Sequence, residues 1–319
     1  MATGRQLHID VPLTNMTVAA FNSGMDQFIA QKVFPVVPVD KQSNKYYTLT
    51  ADAFLRQHDT RRSPKSVANK VEFSVSSDSY FANEYALGHD IPLQDLANAD
   101  TALTVRQNGT TLVQLGLLRD LEIRVANKIT SGTNLGSYVS LSGAAGAWKN
   151  FANSDPIGDI TSGHAFIRNG TGLMANTLIL DYDTLTIARR HPALLDMYKY
   201  TSGGELTDAQ LMQVFKVQQI LSGNGVKSVA IEGQTSSITN IWPNCAVLAR
   251  IENAVSLQTA TFGLGMRWTP EGFPAPFTVG RQAFTGPGTA NVETLEGGYW
   301  QDEKIVAKAL SYGILNTLG

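Results

Sequence analysis

The sequence predicts an α+β fold, with helices and strands grouped along the chain rather than alternating strictly. Three observations predict it. Strand-like segments bracket a long polar insert between residues 45 and 77. Residues 100–130 change to a helical period. Beyond residue 175, short apolar strands and short capped helices follow one another in irregular order. A doubly wound α/β sheet would need regular alternation, and it is missing.

Taken in order, residues 1–30 show no steady period and read as an arm with a short amphipathic piece. KVFPVVPVD (32–40) is extended, because Pro35 and Pro38 each remove a donor and push the preceding residue out of the helical region. KYYTLTA (45–51) has strand propensity, and VEFSVSS (71–77) alternates Val71, Phe73 and Val75 with polar neighbours. The segment between them, FLRQHDTRRSPKSVANK (54–70), is too long for a tight turn and reads as the tip of a projecting hairpin.

Leu112, Leu115, Leu118, Leu121, Val125 and Ile129 then recur at three- and four-residue steps, one face of an amphipathic helix. Asp95 or Asp100 is placed to cap its start and Gly132 its end. A continuous helix from 100 to 130 would be about 45 Å long at about 1.5 Å per residue. Gly109 and Gly116 each cost roughly 1 kcal/mol there, which makes them points of bending or breakage.

Residues 131–160 are Gly- and Ser-rich and loop-like, with a helix expected near 157–170. TLILD (177–181) reads as a buried strand, DTLTIARR (183–190) as a helix capped by Asp183, and TDAQLMQVFKVQ (207–218) as a helix begun at Thr207 or Asp208. VKSVAIEG (226–233), CAVLARI (245–251) and FTVGRQAF (277–284) read as strands, with a weaker extended stretch near 255–264. A last strand falls within KIVAKALSYGILNT (304–317).

Bulk composition narrows the function. A chain of 319 residues has room for two domains, or for one with insertions. Charge, at 16%, is low for a globular protein, and with Gly 28 it points to many turns and to surface hidden by something other than solvent. A large protein–protein interface would hide it, although turn-rich β proteins share this composition. Lys+Arg 25 against Asp+Glu 27 gives net charge -2, so no overall positive field exists to hold nucleic acid by counterion release. Cys245 is the single cysteine, which excludes an intrachain disulfide and fits folding in a reducing cytoplasm. The N-terminus lacks the apolar core of a signal peptide, and no apolar run approaches about 20 residues. A soluble, cytoplasmically made chain is expected.

Catalytic motifs are absent from the sequence: no G-x-S-x-G, no G-x-x-x-x-G-K-[ST], no H-E-x-x-H. Gly263 and Gly265 form a G-x-G without the third glycine, in a strand-like setting that offers no helix N-terminus to a phosphate. His8, His58, His89, His164 and His191 never stand at ligand spacing, so no metal or cofactor is expected. The one arrangement that resembles chemistry is Asp181 and Asp183 ahead of His191, a possible hydrolase set with His191 as general base. The plainer reading is architectural. Asp183 caps a helix, while Arg189, Arg190 and His191 complement its C-terminal dipole before Pro192 stops it. The polar tip carries Arg56, Arg61, Arg62, Lys65 and Lys70. These basic residues lack interleaved aromatics for base stacking, so a contact to a neighbouring subunit is favoured over a solvated loop or a nucleic-acid contact.

The order of elements resembles a known family. An arm, FPVVPV (34–39), a hairpin with a polar tip and a long helix come first. A mixed region follows, holding NTLILDYDTLTIARRHPALLDMYKY (176–200), VKSVAIEGQTSS (226–237) and TFGLGMRW (261–268). A later aromatic strand and an apolar terminal strand ending near Asn316 complete it. This is similar to the major capsid proteins of tailed bacteriophages, the Hong-Kong-97-type fold.

The resemblance implies an N-terminal arm over 1–40, an extended loop over 41–90, a peripheral domain with its spine helix over 91–160, an axial domain over 161–261 and C-terminal peripheral strands over 262–319. It further implies hexamers and pentamers closing into an icosahedral shell around double-stranded DNA held without sequence specificity. Portal partners, and scaffolding or decoration proteins, would join it in a virion assembled in the bacterial cytoplasm. It implies no enzyme activity. No lysine–asparagine crosslinking motif is visible, and no scaffolding domain or cleavage site, which places Met1 near the mature start. An encapsulin-type nanocompartment shares the fold, and cargo would separate the two: DNA for one, a tagged protein for the other. A tail or decoration protein would instead form tubes or trimers.

Overall fold

The computed structural model describes residues 8–9, 28–48, 55, 57, 60–62, 67, 70, 76–98, 102–143, 146–198, 204–230, 234–235, 237–253, 259–271, 278–284 and 291–319. Two principal sheets and one long helix organise them.

The five-stranded sheet is mixed. Cys245–Ala249 lies at its centre, antiparallel to Ser311–Leu315 on one side and to Thr177–Asp181 on the other. Ser137–Ser140 and Gln219–Gly223 add parallel edges. Thr177–Asp181 and Cys245–Ala249 are buried along their whole length, which is why both read as continuous apolar runs rather than alternations. Helix Pro156–Thr171 lies on this sheet. Gly163 is the point of closest approach, since a Cβ there would stand 2.6 Å from Leu248 Cδ1 and 2.8 Å from Tyr312 Cδ1.

The six-stranded sheet is built around Val292–Ile305. Asn83–Pro92 runs antiparallel along one edge. The other edge is shared end to end by Thr278–Phe284, over residues 292–298, and Gly263–Trp268, over residues 300–305. Val36–Val39 joins Gly263–Trp268 in parallel at the margin, where Pro38 can forgo a ladder bond, and His8–Ile9 pairs with Thr278–Phe284. A separate two-stranded hairpin pairs Ser43–Thr48 with Ser76–Phe81, and a second pairs Val226–Ser228 with Ile238–Asn240.

The helix Ala102–Thr130 is continuous over 29 residues, about 44 Å at about 1.5 Å per residue, with no break at either glycine. Gly109 and Gly116 are instead where it presses against strand Asn83–Pro92. A Cβ at Gly109 would meet His89 Cδ2 at 2.8 Å and Leu295 Cδ1 at 3.1 Å, and one at Gly116 would meet Leu87 Cδ2 at 2.6 Å. Its buried stripe keeps Leu118, Leu121, Val125 and Ile129 of the predicted one and differs from it at the N-terminal end. Leu112 is 59% exposed, while Val113, Leu117, Leu118, Leu121, Val125, Ala126 and Ile129 enter the core.

Other boundaries differ from expectation. The first hairpin pairs residues 43–48 with 76–81, so it begins earlier and ends later than the strands read at 45–51 and 71–77; residues 49–51 and 71–75, with the alternating Val71, Phe73 and Val75, lie outside the described residues. Strand Ser137–Ser140 interrupts a region read as loop; of the strand expected over 226–233, Val226–Ser228 is strand, residues 229–230 are not, and residues 231–233 lie outside the described residues. The helix read as starting at Asp183 begins at Tyr182. The helices at Pro156–Thr171 and Asp208–Phe215 stand where their capping signals place them, the latter with a full capping box between Thr207 and Gln210. No described helix is long and apolar enough to cross a membrane.

Candidate functional site

Asp181 closes strand Thr177–Asp181 and caps the helix that follows it. Its Oδ2 accepts from Asp183 N and Thr184 N, each at 3.1 Å, and its Oδ1 accepts from Cys245 N of the adjacent strand at 2.9 Å. The cap is therefore Asp181, not Asp183. A carboxylate at the strand end reaches the free amides of the first helical turn. Burial pushes its pKa above the usual aspartate value, partly offset by these hydrogen bonds. Asp183 accepts from Asn240 Nδ2 at 2.9 Å, tethering the hairpin Val226–Asn240.

His191 is fully buried, and burial lowers its pKa. Its Nδ1 accepts from Ala193 N at 3.3 Å, so Nε2 carries the ring proton of the neutral imidazole. That nitrogen lies 2.8 Å from Ser154 Oγ, whose own hydroxyl donates to Asn150 O at 2.8 Å. The pair looks like a Ser–His dyad but is protonated the wrong way round. The serine proton is committed to a carbonyl, and the histidine donates where a general base must accept. Neither Asp181 nor Asp183 hydrogen-bonds the ring. The three residues proposed as a hydrolytic set cap and join elements instead.

Of the basic tip, Arg61, Arg62 and Lys70 are exposed, and Arg56 and Lys65 lie outside the described residues. Cys245 is buried and its thiol pKa is raised, chiefly by desolvation. Among the described residues no group of His, Cys, Asp and Glu is arranged to hold a metal ion.

The polar machinery that sequence reasoning missed lies between the long helix and strand Val292–Ile305. Arg106 makes a two-pronged bond to Glu293, with Nε to Oε1 at 2.8 Å and Nη2 to Oε2 at 2.9 Å. Nearer the C-terminal end of the same helix, Arg124 Nη2 donates to Glu303 Oε1 and to Tyr299 Oη, both at 3.0 Å, while its guanidinium carbon lies 3.6 Å from the centre of the Tyr85 ring. Asp120 pairs with Arg124 one turn back, and Lys128 donates to Glu303 O. Burial, opposed by Arg124, raises Tyr299 to about 12. The signal was present: Arg106 and Arg124 sit on one helix, and Glu293 and Glu303 alternate in phase along one strand.

A third buried carboxylate holds the N-terminal segment. Glu122 accepts from Ile29 N at 3.1 Å, Ala30 N at 2.7 Å and Trp242 Nε1 at 2.6 Å. The surface is dotted with large apolar groups, among them Val226, Val229 and Ile238 on the small hairpin and Phe81 and Leu87 beside the first one.

The fold is the phage-capsid fold, of Hong-Kong-97 type. Among solved structures it matches a phage-related protein from Bordetella bronchiseptica RB50, with TM-score 0.73 and 20% identity over 98% of both chains. It also matches the capsid of Cyanophage P-SCSP1u (TM-score 0.55, 9% identity, 90% of this chain and 88% of that one). A third match is the encapsulin complex of Synechococcus elongatus PCC 7942 (TM-score 0.51, 11% identity, 99% and 92%). In sequence the chain is similar to the major capsid protein of Pseudomonas phage JBD67, 29% identical over 265 residues that cover 82% of this chain and 83% of that one. The major capsid protein of Burkholderia phage BcepMu is 24% identical over 244 residues, 76% of each chain. No protein-family model matches.

Proposed function

We propose that this chain is a major capsid subunit that assembles with copies of itself, through hexamers and pentamers, into an icosahedral shell enclosing phage double-stranded DNA. The observation that carries the reading is the similarity to a phage major capsid protein across 82% of the chain, on a fold shared with phage capsids. The physics of the subunit supports it. Low overall charge suits a lining that lets DNA in and out rather than gripping it.

Within this reading, the division into arm (1–40), extended loop (41–90), peripheral domain (91–160 and 262–319) and axial domain (161–261) describes the working parts. Strand Asn83–Pro92 anchors the base of the loop to the C-terminal sheet. Arg61, Arg62 and Lys70, with Arg56 and Lys65, make the loop's contact to the next subunit. A portal, and scaffolding or decoration proteins, are its partners in the virion, which is assembled in the host cytoplasm.

The test is sedimentation velocity of the purified chain, with negative-stain electron microscopy of the fastest fraction. Closed shells, or rings of five and six, are expected. A homogeneous monomer at every concentration and salt, with and without co-expressed phage assembly proteins, overturns the proposal. Nuclease-protected DNA in shells from infected cells is expected, and a co-purifying protein cargo in its place would move the reading to a nanocompartment.

A further inference from the structure

A pocket of about 210 Å³ opens between helix Pro156–Thr171 and the end of helix Asp208–Phe215, lined by none of the residues of the clusters described above. At about 30 Å³ per liquid water, it has room for one medium side chain and its main-chain groups. One face of the first helix supplies a wall, through Ile157, Ile160, His164 and Arg168, which recur at helical steps. Val214, Phe215 and Lys216 supply the facing wall, and Met174, 44% exposed, closes one end.

Three features of this pocket ask for three different groups. The floor, made by Ile160 and Phe215, is apolar and buried. His164, 7% exposed, has Nε2 2.9 Å from Phe215 O. A carbonyl only accepts, so Nε2 is the donor, and in the neutral ring Nδ1 is left as an acceptor. That Nδ1 is buried and has no hydrogen-bond partner among the described residues. The rim carries two exposed cations, Arg168 and Lys216, and neither forms an ion pair among the described residues. Lys216 also holds φ 54 at the helix C-cap, a left-handed position where glycine or asparagine is the usual occupant.

An apolar floor, a buried acceptor and a cationic rim together match an apolar residue that brings its own amide N–H and a free carboxylate. We propose that this pocket captures the C-terminal residue of a partner protein's peptide, with an aliphatic or aromatic side chain on Ile160 and Phe215. The last amide N–H is donated to His164 Nδ1, and the terminal carboxylate lies between Arg168 and Lys216. The inference does not depend on shell formation.

Fluorescence anisotropy of the full-length chain tests it, with an N-terminally labelled Ala-Ala-Ala-Leu peptide as probe. Saturable binding is expected, weakened at least tenfold when the terminal carboxylate is replaced by an amide, and again when the last peptide bond is replaced by an ester. Arg168→Ala and Lys216→Ala, at exposed sites that leave folding intact, should each weaken binding about tenfold. Ala165→Phe, which fills the pocket, should abolish it, and Lys149→Ala should leave it unchanged. Absence of saturable binding, equal binding of acid and amide, indifference to Arg168→Ala and Lys216→Ala, or displacement by phosphate at matched ionic strength each overturns the proposal.

Discussion

Glu122 shows how much one side chain can hold. Its carboxylate is buried in the core and takes hydrogen bonds from two backbone amides of the N-terminal segment and from the Trp242 indole. Removing an acceptor strands its donors, and each stranded buried donor costs about 1–3 kcal/mol. Glu122→Ala should therefore destabilise the folded chain by about 3 kcal/mol or more, read as a lowered urea midpoint. Burial raises the folded-state pKa of Glu122 above 4.5, against the opposing pull of its three donors. The folded chain thus holds this proton more tightly than the unfolded one. That contribution is complete below the unfolded carboxylate value and is lost as pH rises through the raised one. The stability of the native chain relative to Glu122→Gln should accordingly be greatest at acid pH and shrink toward neutrality, as denaturation midpoints across that range would show.

At the scale of elements, the two glycines of the long helix make opposite predictions. Gly116 faces only the tip of Leu87, a flexible and 42% exposed side chain that can move aside. Gly116→Ala should be neutral or stabilising by up to about 1 kcal/mol from helix propensity. Gly109 is crowded by His89, Leu295 and Ile91 at once, so Gly109→Ala should destabilise by about 1–3 kcal/mol through overpacking. Thermal melting of the two variants separates these outcomes.

The same pair explains what could and could not be read in the sequence. Capped helices and wholly buried strands were legible, because Thr207 with Gln210 and the runs TLILD and CAVLA carry local signals that the tertiary fold reinforces. The unbroken helix was not, because tertiary packing onto strand Asn83–Pro92 outweighs what each glycine costs. Strand Val292–Ile305 hid for a different reason. Its buried face alternates correctly, but Glu293, Gln301 and Glu303 stand on it beside Leu295 and Tyr299, so hydrophobicity loses its period of two. Arg106 and Arg124 satisfy the two glutamates from more than 170 residues away, and Arg267 on the neighbouring strand satisfies Gln301. The suspected hydrolytic set failed similarly. Nothing local tells that His191 Nδ1 is occupied by its own backbone or that Asp181, rather than Asp183, faces the free amides.

For the molecule as a whole, assembly and folding should be separable. Surface ion pairs contribute about 0–1 kcal/mol each and are screened by salt. Replacing Arg61, Arg62 and Lys70 together by alanine should leave the subunit's melting temperature within about 2 °C while lowering the fraction that sediments as shells, most clearly at low salt. Equal loss of melting temperature and shell yield would show these residues serving the fold rather than the contact.

The placement of Val292–Ile305 and Ser311–Leu315 has a temporal consequence. One is the strand on which the six-stranded sheet is built, and the other flanks the centre of the five-stranded sheet. Both come later in the chain than every strand they pair with, so the ribosome makes them after their partners. Until residue 315 has emerged, Cys245–Ala249 lacks one neighbour and Asn83–Pro92 has no edge to pair with. The backbone hydrogen bonds of helix Ala102–Thr130 are local and can form during synthesis, but the sheet on which it packs is closed by long-range pairings that come later. Closure of both sheets thus waits on strands made after their partners, a clock set by strand order.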